Sequence, residues 1–180
     1  MEQGSILNNY LITGPPRCGK TTLVIKLIQN RLLSGRFAGF ITQEVREKGE
    51  RIGFKIISLP DKKEGFLAKK SFSSPYRVGK YGVNLKDLDD IGCPAIEDAL
   101  DSNKTIVVDE IGKMELFSEK FKNSLLKALD SSQKVLASIM GGRNEFADRV
   151  KSRTDVTLVR LNRDNFESVF EKVLEWLTRP

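Results

Sequence analysis

The chain has 180 residues, of which 39% are hydrophobic, and this predicts a single domain over residues 1–180 whose core needs neither disulfides nor a structural metal. It contains no histidine and two cysteines, which excludes Ser/His/Asp and Cys/His catalysis as well as the common zinc-site patterns. The formal net charge of +6 fits free nucleotides, nucleic acid or an ordinary basic surface, and the spread of basic residues along the chain makes nucleic acid the less favoured partner.

The first predicted unit is a strand, a loop and a helix. The apolar run over residues 8–13 predicts a strand that leads directly into a glycine-bearing loop. A helix follows from about Gly19, and Gly35 stands where a C-terminal cap is expected. The apolar side chains that share one face of this helix are Leu23, Val24, Leu27, Ile28 and Leu32.

The next segment is predicted to be antiparallel. Residues 37–45 and 51–59 are rich in β-branched and aromatic side chains, and the turn-like stretch between them contains Gly49. This pattern predicts a β-hairpin. Residues 61–82, which are rich in Lys, Ser and Gly, are typical of further short strands or of a loop.

The following elements alternate between helices and strands. Residues 84–101 are predicted to be mostly helical with a break at residues 92–94, and a buried strand is predicted over residues 104–110. Ser118 is placed to cap another helix. Residues 135–140 are the next apolar strand, which two glycines end.

The last strand is predicted over residues 157–161, and the closing helix has the clearest helical period. Asp164 and Glu167 are predicted to form its capping box. Strands that alternate with helices predict a three-layer α/β fold with a mainly parallel sheet, to which the hairpin adds antiparallel strands. The apolar face of the closing helix consists of Phe166, Val169, Phe170, Val173, Leu174 and Leu177.

Location and assembly are predicted from what the sequence lacks. No apolar run approaches the roughly 20 residues of a membrane span. The first residues lack the basic segment and the cleavage site of a secretory signal. We therefore expect a cytoplasmic monomer with no membrane partner.

Residues 14–21, GPPRCGKT, match the phosphate-binding pattern G-x-x-x-x-G-K-[ST] in full. The two glycines let backbone N–H groups turn toward phosphates, and the loop opens a helix whose N-terminus adds partial positive charge. Lys20 supplies a point charge for the β- and γ-phosphates, and Thr21 supplies a hydroxyl ligand for Mg²⁺. The match therefore predicts a nucleotide site with Mg²⁺ as its cofactor.

A pair of carboxylates follows the buried strand 104–110. The run TIVVDEIGKME places Asp109 and Glu110 at the end of that strand, which resembles a Walker B element. Asp109 can hold Mg²⁺ together with Thr21, because this hard ion keeps several waters and needs only one or two carboxylates. Glu110 can orient and deprotonate the attacking water as a general base. The order of the two carboxylates favours hydrolysis over phosphoryl transfer.

An arginine is also expected near the γ-phosphate, where such a cation can raise the rate by about 10³- to 10⁵-fold. The sequence offers Arg46, Arg143, Arg149 and Arg153 for this role. Each of them can equally be a surface residue. Glu44, Arg46 and Glu47 are expected to take part in charge pairs across the hairpin, and contact with a nucleotide or a partner is the alternative role.

The residues alone leave other functions open. A nucleotide or small-molecule kinase would share the phosphate loop and use the basic region 61–82 as an acceptor site or lid. A nucleotide-gated module for RNA or DNA is supported only by the net charge. A regulatory GTPase is not favoured, because the chain has no N-K-x-D motif to read guanine.

Taken together, these segments resemble the small cancer-related nucleoside-triphosphatase family, also called the THEP-type NTPases. The stretches that carry the resemblance are TGPPRCGKTTL, GFITQEVREKGERIGFKIISL, VGKYGVNL, CPAIEDAL, IVVDEIGKMELFS and LNRDN, and they span nearly the whole chain. The resemblance implies a P-loop domain with RecA-like affinities. It also implies Mg²⁺-dependent hydrolysis of ATP, GTP, CTP and UTP to the nucleoside diphosphate and phosphate.

The same resemblance implies a nucleotide site built from two segments. Its catalytic residues are expected to be Lys20 and Glu110, and its metal ligands Thr21 and Asp109. In the loop, the nucleotide-binding residues are Gly14, Pro15, Pro16, Arg17, Cys18, Gly19, Lys20, Thr21 and Thr22. At the end of the buried strand they are Val107, Val108, Asp109, Glu110, Ile111, Gly112 and Lys113.

Overall fold

The computed structural model describes residues 7–179, in which nine β-strands form one sheet. A π-helical turn over Leu88–Gly92 and 3-10 turns over Arg31–Leu33 and Glu115–Phe117 complete the helical structure. Within this part of the chain, no helix is long and apolar enough to cross a lipid bilayer. The strands are β1 (Asn9–Thr13), β2 (Phe37–Glu47), β3 (Glu50–Leu59), β4 (Glu64–Lys69), β5 (Arg77–Val78), β6 (Tyr81–Val83), β7 (Thr105–Ile111), β8 (Val135–Ile139) and β9 (Val156–Arg160). The helices are α1 (Lys20–Ile28), α2 (Leu85–Asp87), α3 (Cys93–Leu100), α4 (Glu119–Leu129), α5 (Glu145–Lys151) and α6 (Phe166–Thr178).

The sheet has the strand order β5-β6-β4-β3-β2-β7-β8-β1-β9. From β2 to β9 in this order all neighbouring strands are parallel, and from β2 to β5 all are antiparallel. This confirms the predicted α/β fold, with a mostly parallel core and an added hairpin. The antiparallel part is larger than a hairpin, because residues 61–82 contribute β4, β5 and β6.

Helices cover both faces of the sheet, as strand β7 shows. Its side chains alternate between two cores, with Ile106 and Val108 in one and Val107 in the other. The first core also contains Phe121 of α4, and the second contains Trp176 of α6. The predicted three-layer arrangement is therefore confirmed.

The order of the parallel strands brings the phosphate loop and the carboxylates together. Strand β8 lies between β1, which precedes the loop, and β7, which carries Asp109 and Glu110. The register pairs Ile12 of β1 with Ser138 of β8. Because the carboxyl ends of parallel strands meet at one edge of a sheet, the loop and both acids lie at the same edge.

Helix α1 is shorter than predicted. It ends at Ile28 with Gln29 as its C-cap, so the predicted cap at Gly35 is wrong. The side chain of Asn30 accepts a hydrogen bond from the N–H of Leu32 and starts a 3-10 turn. Leu32, predicted on the buried face, is 70% exposed. The local hydrogen bond of the asparagine competes with the helical pattern and ends the helix early.

The start of α6 also differs from its prediction. The predicted capping box of Asp164 and Glu167 is wrong, since the N-cap is Asn165 and its side chain makes no capping bond. Its Oδ1 instead accepts a hydrogen bond from the N–H of Asn162 at 2.8 Å. The Oδ1 of Asn162 in turn accepts from the N–H groups of Asp164 and Asn165. The two asparagines thus shape a turn before the helix begins.

Helix α5 was not among the predicted elements. It begins after Asn144, whose Oδ1 accepts a hydrogen bond from the N–H of Ala147 at 3.1 Å. The N–H of Asn144 donates to Oδ2 of Asp148 at 3.2 Å. An asparagine cap followed by an acidic side chain is the signal that identifies this helix in the sequence.

The segment 84–101 is helical as predicted, but the predicted break at residues 92–94 is wrong. The π-helical turn carries the chain from α2 into α3 without interruption. Pro94 lies in the first turn of α3, directly after the π-helical turn. The segment therefore crosses the sheet as one continuous helical path.

Candidate active site

A cleft of about 1230 Å³ opens at the carboxyl edge of the parallel strands. One wall is the loop after β1 together with the start of α1. The opposite wall comes from β2 to β5 and includes Thr42, Glu44, Arg51 and Phe54. Lysine and arginine side chains that line the cleft outnumber glutamates six to three, so the cleft favours an anionic ligand.

The backbone of the loop has the shape that phosphate binding requires. Gly19, directly before α1, has φ 105°, a conformation that side chains with a Cβ disfavour. A Cβ on Gly14 would stand 2.4 Å from the backbone oxygen of Leu161. The two glycines therefore let the loop close over the N-terminus of α1, whose free N–H groups attract anions.

Lys20 is held inside this loop. Its Nζ donates hydrogen bonds to the backbone oxygens of Gly14 at 3.3 Å and Pro15 at 3.5 Å. The same Nζ lies 3.7 Å from Oε2 of Glu110, and the lysine side chain is 9% exposed. Its charge therefore lies between the loop and Glu110, where terminal phosphates of a nucleotide are expected.

Asp109 lies fully buried at the end of β7. Its Oδ1 accepts hydrogen bonds from the hydroxyls of Thr21, at 3.3 Å, and of Ser138. Its Oδ2 has no hydrogen-bond partner among residues 7–179. Burial raises the pKa of Asp109 to about 6, although the hydrogen bonds from Ser138 and Thr21 oppose that rise. A carboxylate oxygen without a donor, beside a threonine hydroxyl, fits a divalent cation.

Ser138 is a site residue that sequence reasoning missed. It is fully buried in β8, and its hydroxyl donates to the carboxylate of Asp109. The signal available was a serine inside the otherwise apolar run VLASIM. A buried hydroxyl in such a run needs a partner, but the identity of that partner depends on which strand lies beside β8.

Glu110 and Glu115 differ in exposure although both line the cleft. The side chain of Glu110 is 35% exposed, whereas Glu115 is buried. Oε1 of Glu110 and Oε2 of Glu115 each lie 2.9 Å from the point where a Cβ on Gly112 would stand, so the two carboxyl groups are neighbours. Burial raises the pKa of Glu115 to about 8, and the charge of Glu110 adds to the rise. Sequence reasoning missed Glu115, whose only signal was a third acid in DEIGKME.

The structure brings most of the predicted nucleotide-binding residues into the cleft, but not all of them. The side chains of Val107, Val108 and Ile111 are fully buried in the two cores, and Cys18 packs in the second core. Contacts of these four residues with a nucleotide would therefore come from their backbone groups, and their place in the nucleotide site stays a prediction. The predicted residues that line the cleft are Gly14, Pro15, Pro16, Arg17, Gly19, Lys20, Thr21, Thr22, Glu110, Gly112 and Lys113.

Two of the predicted arginine candidates lie outside the cleft in ion pairs. Arg153 pairs with Asp130 and Asp155, each at 2.6 Å. Asp155 is also bonded to the side chain of Asn9 at the start of β1, at the edge of the sheet opposite the cleft. Arg149 forms an exposed pair within α5. Neither arginine is placed to contact a nucleotide in the cleft.

The other two candidates are replaced by arginines that the sequence did not single out. Arg46 binds Glu44 on the same strand, and Arg143 lines a smaller pocket of about 350 Å³. Arg51 and Arg160 line the main cleft instead. Their placement follows from the order of strands in the sheet, which no local sequence pattern encodes.

Comparisons with known proteins identify the family of the chain. A family model described as NTPase matches residues 9–174. Nucleoside-triphosphatase THEP1 from Thermotoga sp. (strain RQ2) is 49% identical over 167 residues, which cover 93% of this chain and 94% of that protein.

Solved structures show the same similarity. The crystal structure of THEP1 from the hyperthermophile Aquifex aeolicus has a TM-score of 0.86 and 35% identity, covering 95% of this chain and 99% of that one. The solution structure of a human cancer-related nucleoside triphosphatase has a TM-score of 0.81 and 30% identity. The match covers 96% of this chain and 100% of that one. The phosphate loop and the carboxylate pair lie in a chain whose strands and helices the family model matches almost completely. The chain therefore belongs to the NTPase family that contains the THEP1 nucleoside-triphosphatases.

Proposed function

We propose that this chain hydrolyses nucleoside triphosphates to nucleoside diphosphates and phosphate in a Mg²⁺-dependent reaction. The observation that supports the proposal is the convergence of four side chains at one place in the cleft. Lys20 Nζ lies 3.7 Å from Glu110 Oε2, and Thr21 Oγ1 lies 3.3 Å from Asp109 Oδ1. The names of the relatives agree with a triphosphatase activity.

Substrate binding rests on the loop and on Lys20. Backbone N–H groups around Gly19 surround the phosphates, and Lys20 moves little to contact the β- and γ-phosphates. Thr21 and Asp109 would hold Mg²⁺, and the bound ion supplies positive charge that offsets charge on the phosphates. When Lys20 binds the phosphates, Glu110 loses its ion-pair partner and stands beside the γ-phosphoryl group.

Glu110 is the general base of the proposed reaction. Its carboxylate is 35% exposed, so a water molecule can reach it from the cleft. The water oxygen forms a bond to the γ-phosphorus while the bond from that phosphorus to the bridging oxygen breaks, and Glu110 accepts the proton of the water. The electron pair of the broken bond leaves on the nucleoside diphosphate, and inorganic phosphate is the other product.

We extend the proposal to ATP, GTP, CTP and UTP as substrates. The residues that support binding act on the phosphates, which all four share, and the chain has no N-K-x-D motif to select guanine. The triphosphatase names of the relatives do not favour the kinase alternative. Binding to nucleic acid is a weaker alternative, and a cytoplasmic location and a monomeric state stay predictions.

Phosphate release from each of the four nucleotides, with Mg²⁺ and without an added acceptor, tests this proposal. We expect release from several nucleotides by the wild type and none when EDTA removes Mg²⁺. Glu110→Gln should lower kcat by about 10²- to 10⁴-fold while nucleotide binding persists, because the base is lost and the phosphate contacts remain.

The matched control is Glu145→Gln, which changes a carboxylate of α5 that is 86% exposed, and it should keep the wild-type rate. A wild type that releases no phosphate contradicts the proposed function. A Glu110→Gln variant with the wild-type rate contradicts only the assignment of the base.

A further inference from the structure

The cleft wall opposite the phosphate loop holds an arginine in a fixed position. Arg51 of β3 donates from Nη1 to Oε1 of Glu44 at 2.6 Å and from Nε to the hydroxyl of Tyr81 at 2.9 Å. Its guanidinium also lies over the rings of Phe54 and Tyr81, at 5.0 and 5.4 Å from their centroids. Two hydrogen bonds and two rings therefore restrict the rotation of this side chain.

The groups that hold Arg51 are themselves held. Oε2 of Glu44 accepts a hydrogen bond from Arg46 at 2.8 Å, and the Tyr81 hydroxyl donates to the backbone oxygen of Arg51 at 3.3 Å. Tyr81 is 6% exposed and packs edge-on against Phe54 with 5.3 Å between ring centroids. No residue between 7 and 179 accepts a hydrogen bond from Nη2 of Arg51. The N–H groups of Nη2 are thus available to a ligand in the cleft.

Arg51 lines the same cleft as Lys20 and Glu110. Ile41 of β2 lies beside Asp109 of β7, and Glu44 lies three residues further along β2, opposite Phe54. At about 3.3 Å per residue, the level of Glu44 is about 10 Å beyond Asp109 along the strand. Arg51 lies opposite Arg46 on β2, and its guanidinium reaches back to the level of Glu44 through their hydrogen bond.

We propose that Arg51 is the cation that contacts the γ-phosphoryl group in the transition state, an inference that rests on the proposed hydrolysis. Tyr81 and Glu44 hold Nε and Nη1, and the two N–H groups of Nη2 can donate to phosphoryl oxygens, a division of donors that a lysine does not offer. Because its neighbours fix Arg51 before the substrate binds, little further ordering is needed in the transition state.

The other cations of the cleft fit this role less well. Lys113 is exposed and forms no ion pair with any residue that the structure describes, so nothing orients it. Lys151 pairs with Asp148 at 2.7 Å. Arg17 lies exposed on the loop, and Arg160 lies at the end of β9, on the side of the loop away from β7.

Kinetics of Arg51→Ala and Arg51→Lys test the proposal. We expect Arg51→Ala to lower kcat by about 10³-fold, with KM changed by less than about threefold, because the contact forms in the transition state. Arg51→Lys keeps the positive charge but loses the planar guanidinium, so its kcat should lie between that of the wild type and that of Arg51→Ala. The matched control is Arg149→Ala, which removes an exposed arginine of α5 outside the cleft and should keep kcat within about threefold of the wild type.

Two further measurements separate a contact with the phosphoryl group from a purely structural role. Guanidinium chloride at millimolar concentration, far below the denaturing range, should restore part of the activity of Arg51→Ala and none of that of Glu110→Gln. Aluminium fluoride, which mimics a phosphoryl group in transfer, should form a tight complex with Mg²⁺, ADP and the wild type. Arg51→Ala should bind ADP normally and fail to form that complex.

The proposal is overturned if Arg51→Ala keeps kcat within about threefold, or if it forms the aluminium fluoride complex as the wild type does. Thermal unfolding of each variant checks its folding, and if Arg51→Ala does not fold, a wild-type kcat in Arg51→Lys overturns the proposal equally. A wild type without hydrolysis refutes the proposed function instead. The two failures are therefore distinguishable.

Discussion

Asp109, Glu110 and Glu115 come from one short segment, yet their side chains differ in burial. Asp109 and Glu115 are buried, and burial raises the pKa of Asp109 to about 6 and that of Glu115 to about 8. Glu110 keeps 35% of its side chain exposed to the cleft. A buried neutral Glu115 beside Glu110 adds no second negative charge where a triphosphate binds.

The raised pKa of Glu115 predicts how the stability of the protein depends on pH. The pKa of Glu115 rises from its ordinary value of 4.5 to about 8 on folding. Between these values the folded protein keeps a proton that the unfolded chain has lost, so the contribution of Glu115 to the free energy of unfolding is present below pH 4.5 and falls as pH rises to 8. Glu115→Gln should remove this fall and be more stable than the wild type at pH 9, by on the order of 5 kcal/mol.

Urea unfolding of the wild type and of Glu115→Gln, from pH 5 to pH 9, measures the effect. Glu119→Gln is the control, because its side chain is 80% exposed and should follow the wild type at every pH. Curves for Glu115→Gln that stay parallel to the wild type would show that Glu115 does not keep its proton on folding.

At the scale of elements, the sequence predicts those whose signals are local. Strands β1, β7 and β8 were predictable because each is an apolar run that ends in a glycine or a carboxylate. Helix α6 was predictable because its apolar residues repeat over three turns. Strands β5 and β6 have two and three residues, which is too short for any period to show. For α1, the local hydrogen bond of Asn30 ended the helix against an apolar pattern that continued.

The residues of the candidate site likewise fall into those that a local motif identifies and those that depend on the folded structure. Lys20, Thr21, Asp109 and Glu110 were predictable because the spacing of motif residues identifies them. Ser138 and Arg51 were not, because their roles depend on which strands lie side by side, and that order is set by contacts between distant parts of the chain. The role of Glu115 was not predictable because it depends on burial, and a hydrophilic residue in a sequence gives no sign that it is buried.

The cap of α5 gives a prediction at this scale. Asn144→Ala removes the acceptor for the N–H of Ala147, so we expect α5 to lose about 1 kcal/mol of local stability. Hydrogen exchange of the amides over residues 147–151 measures it, and exchange should become faster. Asn144→Ser keeps an oxygen acceptor and should exchange nearly as the wild type does. Equal exchange in Asn144→Ala and the wild type would show that the side chain does not stabilise the helix.

At the scale of the molecule, ligand binding joins the two walls of the cleft. A triphosphate analogue that is not hydrolysed, added with Mg²⁺, should raise Tm and add about 2.7 kcal/mol at a concentration 100-fold above its Kd. Because the contacts are to the phosphates, analogues with different bases should give similar Tm shifts when compared at the same concentration. Differential scanning calorimetry provides the measurement.

Lys20→Ala should lose most of this stabilisation, and nucleosides without phosphates should give none with the wild type. A Tm shift that is large for one base and absent for the others at saturating concentration would contradict recognition through the phosphates. It would indicate instead that a part of the cleft reads the base.

The lengths and charges of the two outermost strands affect how readily the protein aggregates at high concentration. An open sheet leaves unpaired backbone N–H and C=O groups at its margins, and these can recruit a strand from another molecule and start aggregation. At one margin β5 has only two residues, Arg77 and Val78, so it offers a foreign strand almost nothing to pair with. At the other margin β9 has five residues and ends in the exposed charge of Arg160. The short β5 at one margin and the charge of Arg160 at the other therefore both disfavour the pairing of this nine-stranded sheet with a strand from another molecule.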